Sequence, residues 1–227
     1  MFIMNYNQIM KKLKSLENPK NVEGMARFGI NPDKNLGISV TTLRGVAREI
    51  GKDHDLAMQL WDSGIHDARM LAAHIDEPEK VTEEQMDKWA LDFNSWDVCD
   101  NACGHLFDKT KHGYKKAFEW TKRDEEFVKR AGFAIMAWAA VHDKKRDDKI
   151  FEDFLNEIKR ESTDERNYVK KAANWALRNI GKRNKNMNEK AIKMAEEIKR
   201  IDSKSARWIA NDAIRELTSE KVKKRLD

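Results

Sequence analysis

The sequence predicts an all-α fold, a solenoid of repeated helical pairs in one domain spanning residues 1–227. Three observations carry this. All three prolines, Pro19, Pro32 and Pro78, lie early in the chain, so the strongest helix breaker is absent after Pro78. The remainder is rich in Ala, Lys, Glu, Leu and Met, which are good helix formers. No run alternates apolar and polar residues with the two-residue period of a half-buried strand.

The first helix is predicted over residues 5–17, with Ile9, Leu13 and Leu16 on one face. Asn18-Pro19 restarts the chain, because proline suits a first helical position, and a second helix carries Val22, Met25, Ala26 and Phe28. Residues 29–37 form the longest loop. Thr41 or Thr42 opens a helix over 43–50, and Gly51 fits the position just past its end. Helices follow over 53–62 and 65–75, the latter ended by Asp76-Glu77-Pro78. Thr82-Glu83-Glu84-Gln85 has the pattern of a capping box ahead of Met86, Trp89, Ala90 and Phe93. The central helix runs from Trp96 to about Phe107, and later ones cover 114–121, 124–141, 147–160, 164–180, 188–200, 203–217 and 219–226. Gly181 sits where a helix would stop.

Three later segments look alike: Lys129-Arg130-Ala131-Gly132-Phe133-Ala134, Lys170-Lys171-Ala172-Ala173-Asn174-Trp175 and Ser205-Ala206-Arg207-Trp208-Ile209-Ala210. An earlier relative is Asp67-Ala68-Arg69-Met70-Leu71-Ala72. The last three are spaced by about the 40 residues of HEAT-type helical pairs. Their small residues let helices approach closely in a stacked array. A generic bundle with recurrent Ala-rich faces is the other reading of the same pattern.

Composition narrows the partners. Net charge is +5 and 37% of residues are charged, above the roughly 25% of an average domain. This permits an anionic partner without demanding one. Basic residues cluster between helices, at Lys109, Lys111, Lys115 and Lys116, at Lys144, Lys145 and Arg146, and at Lys182, Arg183 and Lys185. In a solenoid such loops fall on one edge, where a basic stripe would bind phosphates in a salt-dependent way. Ordinary solubilising charge is the alternative, and Asp143, Asp147 and Asp148 dilute the signal.

The two cysteines, Cys99 and Cys103, are four residues apart on one helix, poorly placed for an unstrained disulfide. No second pair exists to complete a zinc site, so no metal is expected. Met1-Phe2-Ile3-Met4-Asn5 lacks the basic start and long apolar run of a signal peptide. No stretch approaches the ~20 apolar residues of a membrane span. A cytoplasmic protein with no membrane association is expected.

The most informative stretch is Asn94-Ser95-Trp96-Asp97-Val98-Cys99-Asp100-Asn101. Ser95 suits an N-cap whose hydroxyl accepts from a first-turn N–H, and Asp97 lies where the helix dipole favours negative charge. Trp96 and Asp100, four residues apart, share a face. An indole beside a carboxylate suits a cationic or cation-forming ligand. From spacing alone the same residues also suit a buried Trp, a capping Asp97 and a solvated Asp100. Neither a phosphate-loop nor a dinucleotide fingerprint is present, so no cofactor is expected.

With these residues in view, the chain resembles the AlkD-like family of HEAT-repeat DNA alkylation repair glycosylases. Met25-Ala26-Arg27-Phe28 looks like the family's first block and Asn35-Leu36-Gly37-Ile38 with Leu43-Arg44 like the second. Leu60-Trp61 and Asp67-Ala68-Arg69 resemble the third, and Ser95-Trp96-Asp97-Val98-Cys99-Asp100 the active-site helix. Lys129-Arg130-Ala131 and Ala173-Asn174-Trp175-Ala176-Leu177-Arg178 resemble the two later blocks. The resemblance implies a concave face that grips duplex DNA. It implies a monomeric glycosylase that excises positively charged alkylated bases, such as 3-methyladenine and 7-methylguanine, without swinging the base into a deep pocket.

Carried over by position, the resemblance makes Asp100 the catalytic carboxylate, Trp96 and Trp175 the aromatic walls beside the damaged nucleotide, and Arg130 a backbone contact. Arg178, Lys144, Lys145, Arg146, Lys182 and Arg183 are further candidates for phosphates. Taken alone, Trp175 among alanines also suits the core, and Arg130 a helix-face salt bridge. Trp61, Trp89, Trp120, Trp138 and Trp208 are read as packing residues. One departure is Ser95, where the family often has a second Trp. Some relatives lack the carboxylate and bind DNA without excision, so a non-catalytic protein for damaged or branched DNA is the alternative. A scaffold for protein partners is a third possibility.

Overall fold

Every regular element among the described residues is helical: fourteen α-helices and one short 3-10 turn. The structure, a computed structural model, describes residues 4–226. Met1, Phe2 and Ile3, part of the segment read above for a signal peptide, lie outside the described residues. Among those described, no helix is long and apolar enough to cross a membrane. The chain forms two compact units, Met1–His112 and Gly113–Asp227.

The first unit holds α1 (Tyr6–Ser15), α2 (Pro19–Ala26), α3 (Val40–Ile50), α4 (His54–Asp62), α5 (His66–Ile75), α6 (Glu83–Leu91), α7 (Trp96–His105) and the 3-10 turn Phe107–Lys109. Local capping chemistry sets their starts. Asn5 and Gln8 cap α1 reciprocally, and Pro19 begins α2. Ser39 Oγ, rather than Thr41 or Thr42, caps α3 by accepting from Thr42 N at 3.1 Å, so this helix begins earlier than expected. Gly51, with φ of +84°, ends it in the region open to glycine. Only half of the expected box at Thr82 forms. Thr82 Oγ1 accepts from Gln85 N at 3.1 Å, but the Gln85 amide turns away to Asp76 Oδ2 at 2.6 Å.

Helices α3, α5 and α7 pack side by side, with α4 against α5. Trp61 of α4 and Trp89 of α6 are fully buried and stack at 3.9 Å with an interplanar angle of 3°. Such a pair contributes roughly 0.5–1.5 kcal/mol beyond the area it buries. The polar contacts reveal a register that the sequence pattern does not. Trp61 Nε1 donates to Asp92 Oδ2, Asn101 Nδ2 to Met70 O, and His66 pairs with Asp97, each across 31 positions. The α6–α7 pair therefore repeats the α4–α5 pair.

The second unit holds α8 (Gly113–Trp120), α9 (Glu126–His142), α10 (Asp148–Arg160), α11 (Asn167–Ile180), α12 (Lys185–Lys199), α13 (Lys204–Leu217) and α14 (Glu220–Leu226). One layer runs α9, α11, α13, and α10 and α12 pack together in a second. Here the expected period is plain in the bonding. Arg130 donates to Tyr168 O, Asn174 to Asp212 and Arg178 to Glu216, each across 38 positions. Gly132 permits the close approach of α9 to α8, since a Cβ there would meet Thr121 N at 2.8 Å and Ala117 O at 3.0 Å. Gly181 does not stop α11 through a left-handed turn, for its φ is −67°. It is small because a Cβ would lie 2.7 Å from the Leu217 methyls and 2.9 Å from Ala191 Cβ.

The tryptophans divide. Trp61, Trp89 and Trp120 are core residues as expected, and Trp138 is half-buried. Trp208 is 41% exposed, and Lys170 Nζ lies 5.3 Å from its ring centroid, so it faces solvent rather than the core. Cys99 and Cys103 are buried thiols not joined in a disulfide, and burial with the neighbouring Cys99 pushes the Cys103 thiol well up.

Candidate active site

The first turn of α7 is held by a buried charge relay. Ser95 precedes the helix and is fully buried. Its hydroxyl does not accept from a first-turn N–H as expected. It donates to Asp97 Oδ1 at 2.6 Å, and Asp97 Oδ1 itself accepts from Val98 N at 2.9 Å. Asp97 Oδ2 lies 2.9 Å from His66 Nε2. On the other side of the imidazole, Nδ1 lies 3.7 Å from Asp67 Oδ2, an ion-pair distance rather than a hydrogen bond. Asp67 is completely buried and accepts from Leu36 N at 2.6 Å and Ile38 N at 2.8 Å.

Asp67, His66 and Asp97 thus join the loop at residues 36–38 to α5 and α7. Gly37 is required in that loop, with φ of +71° and Asn18 O only 2.3 Å from where a Cβ would stand. Burial lowers the His66 pKa, but the close Asp67 carboxylate and the hydrogen bond and charge of Asp97 outweigh it and lift the group to about 9. Asp97 is raised by burial, and His66, Ser95 and the Val98 N–H outweigh this and hold it below its ordinary value.

The rise of His66 from 6.5 to about 9 corresponds to roughly 3 kcal/mol of linked stability. Because the folded value is raised, this stability is full below pH 6.5 and is lost as pH climbs through about 9. Thermal unfolding midpoints of the wild type should fall between about pH 7 and pH 9.5 more steeply than those of His66→Gln. Parallel declines in the two proteins would contradict a charged His66.

This anchoring presents Trp96 and Asp100 to one cleft of about 890 Å³, whose walls include Met25, Phe28, Ile38, Arg44, Met70 and Asn101. Trp96 Nε1 donates to Phe28 O at 3.1 Å, fixing the indole plane. Both side chains are half-buried. Phe28 is 75% exposed, a large apolar ring left open beside the cleft. Arg44 is exposed on α3 and lines the same cleft. An aromatic face, a carboxylate and an apolar wall in one cleft suit a planar, cationic ligand.

The remaining expected residues belong to the second unit. Arg130 is buried on α9, and its guanidinium donates to Tyr168 O at 2.8 Å. Trp175 is half-buried on α11, edge-on to Trp138 with centroids 5.4 Å apart. The basic candidates are largely engaged within the protein. Arg178 and Lys182 bond Glu216, both at 2.6 Å, and Arg146 pairs with Asp143 at 3.3 Å. The Arg183 side chain is 3% exposed and donates to Ala140 O and Asp143 O, closing the end of α9. Lys144 donates to Ala140 O at 3.2 Å, and Lys145 is exposed.

A model of the family described as DNA alkylation repair enzyme matches residues 9–217. The chain belongs to that family. Two similar proteins are described as uncharacterized. One from Listeria innocua is 23% identical over 203 residues, 88% of this chain and 88% of its own. One from Listeria monocytogenes is 26% identical over 137 residues, 59% of this chain and 61% of its own. A solved structure described as "a new family of proteins related to the HEAT-like repeat DNA glycosylases with affinity for branched DNA structures" matches with a TM-score of 0.76 at 20% identity. The match covers 93% of this chain and 95% of that one. At that identity the likeness is one of fold, an all-helical HEAT-like repeat. In this member of the alkylation repair family, Ser95-Trp96-Asp97-Val98-Cys99-Asp100 opens α7.

Proposed function

We propose that this member of the alkylation repair family is a monofunctional DNA glycosylase. It releases positively charged alkylated bases, of the 3-methyladenine and 7-methylguanine kind, from duplex DNA. The observation that carries this reading is the pairing of Trp96 and Asp100, one turn apart on α7 and lining one cleft.

In the reaction the bond from the sugar C1′ to the base nitrogen breaks, and its electron pair leaves with the base, cancelling the base's positive charge. The sugar is left with oxocarbenium character. The Asp100 carboxylate stabilises that charge and orients a water, which adds to C1′ and gives up a proton. The leaving base is already cationic, so no second acid is needed to protonate it. The Trp96 face holds a cationic base or sugar by a cation–π contact of about 0.5–2 kcal/mol. Phe28 offers a further stacking surface beside it. Trp175 and Arg130, in the second unit, are assigned to the lesion strand by the family pattern alone.

A second reading is favoured by one specific observation: the structure sharing the fold is described as having affinity for branched DNA. On that reading the protein binds damaged or branched DNA without excision. Incubation with alkylated duplex, followed by separation of free bases, tests the proposal. Free 3-methyladenine or 7-methylguanine is expected, and salt-sensitive binding with no free base favours the second reading.

A further inference from the structure

Beside the cleft lies a second pocket of about 580 Å³ that the glycosylase chemistry does not use. Its walls include Arg44, Arg48, Lys52, His74 and His105, and it shares Arg44 and His105 with the cleft. We propose that this pocket is a phosphate site, built to take one phosphate group next to the ligand in the cleft.

Three observations point to an anion. First, Arg44, Arg48 and Lys52 follow one another at four-residue steps, the first two on α3 and the third just past Gly51. They present their charges along one side of the pocket, and all three are exposed. Second, neither Arg44 nor Arg48 forms a salt bridge among the described residues; Arg48 Nε donates to Arg44 O, at 3.3 Å. This contrasts with the second unit, where Arg146, Arg166, Arg178, Lys182 and Lys190 each bond a carboxylate. Gathering cations around a cavity without counter-charge is costly unless an anion completes the set.

Third, the side chains that line the pocket include no carboxylate; Asp76, Glu77 and Glu79 act on Lys52 from outside its walls. Lys52 Nζ donates to His74 O at 3.0 Å and Asp76 O at 2.7 Å, which aims the ammonium at the end of α5 beside the pocket. The rings of His74 and His105 pack at 4.2 Å, and His74 Nε2 is buried without a hydrogen-bond partner. Burial first, then Arg44, Lys109 and Lys52, push His74 down to about 4, so its ring is neutral at neutral pH. Burial, and after it Lys109, lower Lys52 against the opposing pull of Asp76, Glu79 and Glu77. After burial, it is the charges of Arg44, Lys109 and Lys52 that act on His74, the mark of cations gathered on this side of the pocket.

Phosphate chemistry fits the arginine pair, whose planar donor forks match phosphate oxygens. The phosphate has two possible sources, a backbone phosphodiester of the nucleic acid or a free phosphate anion. The first rests on the DNA reading above and the second does not.

The test uses the full chain and two probes, inorganic phosphate and unmodified duplex DNA, with wild type, Arg48→Ala and, as a control, Lys88→Ala. Lys88 is exposed and already paired with Asp62 at 2.8 Å. For a backbone phosphodiester, Arg48→Ala should weaken duplex binding about tenfold. It should also flatten the dependence of log affinity on log salt by about one unit, with Lys88→Ala unchanged. For a free anion, phosphate should bind wild type about tenfold more tightly than Arg48→Ala, while the two bind duplex equally. If Arg48→Ala matches wild type with both probes, the pocket is not a phosphate site. If wild type binds no duplex, the DNA reading fails while the phosphate probe still decides the pocket.

Discussion

Asp100→Asn is expected to lower the single-turnover rate of base release by roughly a hundred- to a thousandfold, the scale set by removing one preorganised charge-stabilising group. Asparagine keeps the shape of the side chain, so α7 and the cleft wall should stand. The duplex affinity should not fall and should tighten by no more than about twofold, because a neutral amide removes one negative charge that repels a polyanion. The separation of these effects is the informative part. A carboxylate acts when positive charge develops at C1′, not when DNA docks, so its loss falls on the rate and not on binding. Equal release by wild type and Asp100→Asn would remove Asp100 from the chemistry.

Asp67→Ala should be the most destabilising change near the site, by about 3–5 kcal/mol. Asp67 is completely buried, accepts from two backbone N–H groups and lies against a protonated His66. Alanine would orphan both donors and leave His66 balanced by Asp97 alone. The cost should appear in the denaturant midpoint with an unchanged slope. Loosening of residues 36–38 should also reach the cleft, since Gly37 and Ile38 line it. A loss below about 1 kcal/mol, the scale of an ordinary surface change, would mean that Asp67 does not anchor the loop. Adding His66→Gln to Asp67→Ala should recover part of the loss, because it removes the buried charge left partly uncompensated.

Much of the helical architecture is legible in the sequence because it depends on local signals. Proline placement and helix-forming composition predict every element as helical, and boundaries such as Asp53 and Pro19 follow from capping chemistry. The repeat of the second unit is legible because its small residues recur. That of the first is not, because its register is written in unlike pairs, Trp61 with Asp92 and Asn101 with Met70. Gly181 does mark the end of α11, but what keeps it a glycine is contact with Leu217 rather than a left-handed turn.

Within the site, Trp96 and Asp100 are visible because four-residue spacing alone puts them together. Ser95 and Asp97, by contrast, suggest only the capping and dipole effects that any first turn offers. Ser95 donates to Asp97 across only two positions, but what turns both from capping is His66, 31 positions from Asp97, which no local rule supplies. Phe28 stands out in sequence only as part of a motif, because its exposure beside the cleft is a tertiary fact.

The most direct measurement follows bound DNA and free base together, in one reaction of wild-type protein with duplex carrying 7-methylguanine. Release of 7-methylguanine above the spontaneous rate, with the duplex retained as an abasic product, is the expected result. Saturable binding of the same duplex with release no faster than in buffer would contradict glycosylase activity.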